Sequence, residues 1–439
     1  MILLNSCTKD AVNIIQVVTT SSDIVISKDT IVNNTWIIPA NMIVRFEGKG
    51  HLSGTGTLQG GIIQAALTQH IFDTTFNIAG SKLYGQDFSV MWYGAKSANA
   101  DNYNHLQKSI NTCLANGFKN CFIPAGFYNY SKPLKISNIY KGIYVGAAIH
   151  LYGESNYWDD KTTLNYTGLT GFALGIQYGK GSEIDHLKIS GKFLSPVITG
   201  PAYYNIPFES YGTNTGTSGL VIDYDGSLNT GGSTGISIHD MWVTGFEILY
   251  SISPNAVTFN ADILIFENIR CGNGRVGFQT GQAQEKGNVI RGIYSWDNIH
   301  TLIRIGQAGK AQAGNYMIDG GNIAGGCIRL FDIRESGWFA SSISNIFSES
   351  IGTIGSITSG DSQNQLPTAI KSCMFDFAYK SQAGEQRLLY CNSYFIHFQD
   401  CTFRYYGTYD TLNMHGWATF ENCWFSGKIN NPYNGFVFK

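Results

Sequence analysis

The chain has 439 residues, 43% of them hydrophobic and 14% charged, and a formal net charge of −2. That composition excludes a disordered chain and leaves no basic field to recruit nucleic acid or an anionic membrane. Fifty-one glycines against nine prolines, with 25 tyrosines and 26 phenylalanines, favour many short strands and tight turns over long helices.

At the start, MILLNSC is similar to the tail of a bacterial lipoprotein signal ending at Cys7, but it lacks the positive n-region and a full h-region, so it reads as a truncated or coincidental start. No run of about 18 apolar residues predicts a transmembrane helix. The nine cysteines form no CxxC pair and read as free, buried, small hydrophobes, with disulfides as the alternative. None of the nine histidines falls at metal-site spacing, so no metal and no cofactor is expected. Residues 1–88 read as a leader and β-rich cap. The first helical period is NHLQKSINTCLANG, Asn104 to Gly117, with Leu106, Ile110, Cys113 and Leu114 on one face, Asn104 as N-cap and Gly117 just past the end. A strand–turn–strand pattern, Asn120 to Ile136, follows it.

Trp92-Tyr93-Gly94-Ala95-Lys96, this helix and Pro124-Ala125-Gly126-Phe127-Tyr128 resemble the opening of the pectate-lyase-like β-helix family, which includes bacteriophage tailspikes and capsule or O-antigen depolymerases. Ser97-Ala98-Asn99 stands where that family has Gly-Asp-Gly, and Asp101-Asn102 half matches its acidic helix start. Residues 38–60 resemble the leader before such β-helices in Bacteroidota proteins and their phages. The resemblance implies a right-handed parallel β-helix, a homotrimer, phage tail proteins as partners, and a place on a virion tail or cell surface. It also implies a bacterial surface polysaccharide as ligand. The matched motifs start a β-helix and are not catalytic, so no active-site residue is carried across. The polygalacturonase signatures are absent, and Ser295 to His300, SWDNIH, is a faint echo of a pectate-lyase motif, which disfavours a pectin-specific enzyme.

Downstream, a four-residue unit recurs at intervals of 22–30 residues: a polar residue or Gly, an apolar residue or Cys, any residue, then an apolar or small one. The units begin at His186, Asp240, Asn268, Gly292, Asn322, Asn345, Ser372, Asp400 and Asn422, with a longer gap after the first. Such a repeat, alternating with period 2 and without helices between units, predicts a single-stranded parallel β-helix over residues 89–430, one rung per unit, and a tail at 431–439. Cys373, Cys401 and Cys423 should then stack indoors.

The fifth position of each unit points outward beside the third and predicts a column Trp296, Gly326, Glu349, Asp376, Arg404 and Ser426. Neighbouring rungs are roughly 4.8 Å apart, so Glu349 and Asp376 should lie at the carboxylate separation of a retaining glycosidase, one as acid and one as nucleophile. Arg404 is placed to hold an acidic sugar, and Trp296 and Tyr294 to stack on sugar rings. The same column also reads as a solvated salt-bridge ladder or a trimer interface. Asp297 and Glu335 are alternative carboxylates; Arg334, Glu335 and Trp338 fall in a predicted loop, DIRESGWF. Tyr203, Tyr204, Phe208 and Tyr211 form either a glycan platform or a cover for the helix side, and Asp319 an Asx-type turn. The leading reading is a tailspike-like polysaccharide depolymerase acting by glycoside hydrolysis. A lyase on an acidic glycan and a non-catalytic adhesin or fibre remain open.

Overall fold

The computed structural model describes residues 2–3, 23–140, 142–155, 159–197, 200–212, 216–226, 232–255, 261–281, 287–295, 298–306, 316–335, 341–359, 368–377, 389–405, 411–430 and 435–439. Cys7, Trp296, Asp297 and Trp338 lie outside them.

The leader already coils. Its strands Asp23–Ile26, Thr35–Phe46, Thr57–Gln64 and Asn77–Ala79 pair in parallel, and Ile24, Val44 and Ile63 stack in register, all buried. A 3-10 turn, Val90–Tyr93, follows, ended by Gly94 at φ 85. The WYGAK motif is structural here. Trp92 and Tyr93 are buried, and the indole N–H donates to the Ala66 carbonyl at 2.9 Å. The helix spans Tyr103–Asn116 and presents buried Leu106, Ile110 and Cys113. Its N-cap is Asn102 rather than Asn104: the Asp101 carboxylate accepts the Tyr103 N–H at 2.8 Å, while the Asn102 side chain accepts the Lys96 N–H at 2.9 Å. Gly117 ends the helix in the left-handed region, where a residue without Cβ is favoured.

From Asp87–Ser89 onward, parallel strands stack in three sheets. In the first, one column runs Phe88, Cys121, Leu151, Ile184, Ile238, Phe266, Ile290, Ile318, Ile343, Ile370, Phe398, Phe420 and Phe438, each the register partner of the next, buried as far as Phe420 and exposed at Phe438. Burying each of the larger apolar side chains stabilises the stack by about 1.5–3 kcal/mol. One apolar cluster runs unbroken from Ile24 in the leader to Phe420 near the other end. Gly435–Phe438 is itself a strand on this ladder, so part of the expected tail continues the stack.

The repeating unit is the corner between the first and second sheets. His186, Asp240, Asn268, Asn345, Ser372, Asp400 and Asn422 all have φ between 50 and 58, and Gly292 and Gly320 occupy the same place. Only Gly and short polar side chains visit the left-handed region readily, which explains the polar first position. The second position turns indoors, where the Cys373, Cys401 and Cys423 thiols donate to the carbonyls of Lys371, Gln399 and Glu421, two residues back in each case. The fourth position forms the inward column Val243, Cys271, Ser295, Ile323, Ser348, Phe375, Phe403 and Phe425.

Three expectations need correction. The unit placed at Asn322 starts at Gly320, because Ile293 pairs with Gly321 and Ser295 with Ile323. A slip of two residues keeps inward and outward parity, so alternation alone does not detect it. Arg334 and Glu335 are the end of strand Tyr316–Glu335, paired with Thr358 and Ser359, rather than part of a loop. Asp319 likewise sits in a strand, where its carboxylate accepts hydrogen bonds from Ser344 and Asn345 on the next rung.

Candidate functional site

The second sheet presents an outward column of aromatic, cationic and amide groups. Lys188, Trp242, Arg270, Tyr294, Asn322, Phe347, Met374, Thr402 and Trp424 follow one another rung by rung. Trp242 is held between Lys188 Nζ and the Arg270 guanidinium, each 3.7 Å from its ring. Tyr294 and Phe347 are half-buried, and Trp424 is 55% exposed.

Beside it runs the column expected to carry chemistry. After the register correction Ala324, not Gly326, precedes Glu349. Between Ser348–Phe375 and Ile351–Phe377 the ladder shifts, so Glu349 and Ser350 face the single residue Asp376. Such a bulge bends the strand and re-aims its side chains. Glu349 is exposed. Asp376 is buried, and the Arg404 guanidinium grips it in a bidentate pair, Nε donating to Oδ1 at 2.7 Å and Nη2 to Oδ2. Arg404 keeps 38% of its side chain in solvent. The two carboxylates thus stand on neighbouring rungs in unlike surroundings: Glu349 free to meet a ligand, Asp376 behind an arginine.

An insertion at the next corner covers the third sheet. The Tyr203 and Tyr204 hydroxyls donate to the Gly326 and Ser350 carbonyls, and Tyr203 and Tyr211 are buried with Phe193 and Ile328. These tyrosines therefore cover the helix side. Beneath them Phe208 lies against Arg275, Arg304 and His300, with ring distances of 5.5, 4.9 and 5.1 Å. Burial, reinforced by the Arg329 charge, pushes the His300 imidazole down to about 4. Below the unfolded value near 6.5 the unfolded chain takes up a proton that the folded chain refuses, so folding weakens as pH falls from about 6.5 to 4. The loss attributable to His300 by pH 4.5 is about 2–3 kcal/mol. His239, raised by Glu183 and Asp240, acts in the opposite sense, its contribution fading as pH rises past 6.5. Comparing urea midpoints at pH 7 and 4.5, the His300→Gln variant should lose less than the parent; equal losses would refute a neutral buried His300.

A further group was not foreseen from sequence. His150, Glu183, Asp185, His186 and His239 meet on and beside the outer face of the first sheet. Asp185 is nearly buried, with His150 Nε2 2.6 Å from Oδ2 and His186 Nδ1 2.6 Å from Oδ1. His239 Nε2 lies 3.0 Å from Glu183 and 3.4 Å from Asp185. The three histidines are far apart in sequence, and only the stacking of rungs brings them together.

No family model matches the chain, and no curated protein matches it in sequence. Solved structures similar to it include the mannuronan C-5 epimerase AlgE4 A-module of Azotobacter vinelandii, at 11% identity and TM-score 0.46, over 80% of this chain and 98% of that one. The catalytic domain of a GH87 alpha-1,3-glucanase is similar at 13% identity and TM-score 0.47, over 79% and 67%. Tailspike protein 2 of an Escherichia coli O157:H7 bacteriophage is similar at 14% identity and TM-score 0.42, over 76% of this chain and 42% of that one. These are pectate-lyase-like parallel β-helix proteins.

Proposed function

We propose that this chain binds a bacterial surface polysaccharide along the outer face of its second sheet and depolymerises it by glycoside hydrolysis, as a homotrimeric, tailspike-like component of a virion tail. The observation that carries the reading is the side-by-side run of two columns. The stripe from Lys188 to Trp424 offers stacking and hydrogen-bonding groups at a regular rise of about 4.8 Å, parallel to the axis. The neighbouring column offers Glu349, Asp376 and Arg404. A linear glycan laid along the axis would meet both at once.

In this reading the exposed Glu349 protonates the leaving glycosidic oxygen. Asp376 is the second carboxylate. Arg404 must loosen its grip for Asp376 to face a sugar ring, and the solvent-exposed part of its guanidinium side chain, 38% of it, is suited to an acidic substituent.

One arrangement favours a second reading, β-elimination from an acidic glycan. Arg275, Arg304 and Arg329 lie on successive strands of the third sheet around His300, which stays unprotonated near neutral pH. Such a site sets an imidazole base beside three arginines, of which Arg275 and Arg304 are paired with Glu247 and Asp332 and must exchange those partners for a sugar carboxylate. Incubation with purified capsule or O-antigen distinguishes the outcomes. New reducing ends without ultraviolet absorbance from an unsaturated product support hydrolysis, and reducing ends with that absorbance support elimination. Binding with neither leaves an adhesin and overturns the proposal.

A further inference from the structure

We propose that His150, Glu183, Asp185 and His239 form a binding site for a divalent transition-metal ion of the zinc class. The residues occupy outward positions of three consecutive rungs: His150 pairs with Glu183, and Asp185 pairs with His239. The donor atoms of His150, Glu183 and Asp185 lie within 4.8 Å of one another, and so do those of Asp185, His186 and His239.

The donors are gathered close to, but not at, the spacing of an ion's ligands. Four donors held tetrahedrally about 2.0–2.1 Å from one ion stand about 3.3 Å from each other. Along the run His150 Nε2, Asp185 Oδ2, His239 Nε2 and Glu183 Oε1 the successive separations are 2.6, 3.4 and 3.0 Å, and His150 and His239 belong to two groups of mutually close donors that share Asp185, so an ion would replace the His150–Asp185 hydrogen bond and draw the two imidazoles together.

The supporting groups also fit. His239 Nδ1 lies 2.9 Å from Asp240 Oδ2, which fixes the tautomer with Nε2 free to ligate. His186 Nδ1 engages the other oxygen of Asp185 at 2.6 Å and leaves Oδ2 for the ion. His186 and Asp240 occupy the left-handed corner position, with φ 53 and 51, so the backbone aims them back at the neighbouring rungs.

Charge gives an independent reason. Glu183, Asp185 and Asp240 gather here, the Asp185 side chain is only 4% exposed, and among the described residues no lysine or arginine forms a salt bridge to any of the three. Imidazoles are the ionisable partners of these carboxylates, and a buried carboxylate without a fixed cation beside it is costly. A divalent cation supplies the missing charge. Two imidazoles with two carboxylates suit zinc, cobalt or nickel, whereas calcium and magnesium take oxygen donors.

The test uses the full chain, stripped with chelator and dialysed against Zn2+, then Co2+. Expected are one Zn2+ per chain by elemental analysis and the intense visible bands of four-coordinate Co2+, with millimolar Ca2+ failing to displace the ion. His150→Ala/His239→Ala should abolish uptake, and Asp240→Asn should weaken it roughly 10–100-fold with its fold intact. His51→Ala/His70→Ala, at the other His–Asp group near Asp73, should change nothing. Unchanged uptake in both the His150/His239 and Asp240 variants, or uptake lost with the His51/His70 pair, overturns the assignment.

Discussion

Glu349→Gln is expected to slow glycan cleavage by roughly 10²–10⁴-fold, the usual worth of a positioned acid–base group, and to leave the unfolding midpoint unchanged because its side chain is exposed. Asp376→Ala should lose both. Removing one partner of a buried ion pair strands the other charge, a cost of about 3–5 kcal/mol. The lower figure applies here, since Arg404 is 38% exposed and water screens part of its charge. Asp376→Leu/Arg404→Leu should regain much of that stability without regaining cleavage, because a well-packed apolar pair avoids the desolvation cost. Initial rates of reducing-end release and urea midpoints, measured on the same samples, separate the two roles. If Glu349→Gln cleaves at the parental rate, and Asp376→Ala loses activity only in proportion to its unfolded fraction, this pair does no chemistry.

Phe403→Ala should cost about 3–5 kcal/mol, the range for deleting a buried aromatic ring. Phe403 is fully buried, with ring centroids 5.3 Å from Phe375, 4.7 Å from Phe425, 5.6 Å from Phe398 and 5.8 Å from Phe420. It joins rungs above and below as well as two sheets across the interior. In a stack of coils each level touches only its neighbours, so the damage should be local. Hydrogen exchange should show lost protection from about Ser372 onward and native protection in the leader and the first rungs. Phe425→Ala, at a half-buried site, should cost less. Uniform loss of protection along the chain would mean that the stack unfolds as one unit.

The periodic part of this architecture was legible because its cause is local. Alternation placed Ile269, Phe375 and Phe403 indoors, and the cysteine column followed from register alone. The polar first residue was visible, but its left-handed backbone was not. Gly320-Gly321 was the cue to the slipped unit, missed because Ile323 kept the correct parity two residues on. Asp376 read as an outward residue, which its strand position supports; its burial under Arg404 depends on neighbouring side chains that alternation does not describe. The histidine group was hidden by distance along the chain. His150, Asp185 and His239 come from successive rungs, the last pair separated by the insertion that contains Tyr203 and Tyr211. Carrying the columns upstream of His186 would have aligned Tyr152, Asp185 and His239.

The left-handed corner acts as an index mark. Each level is re-zeroed at that residue, so whatever length of chain leaves the sheets elsewhere must return to the same phase. Diversification of such a molecule can therefore proceed by exchanging whole excursions between levels, altering what the flank recognises while the spine keeps its count.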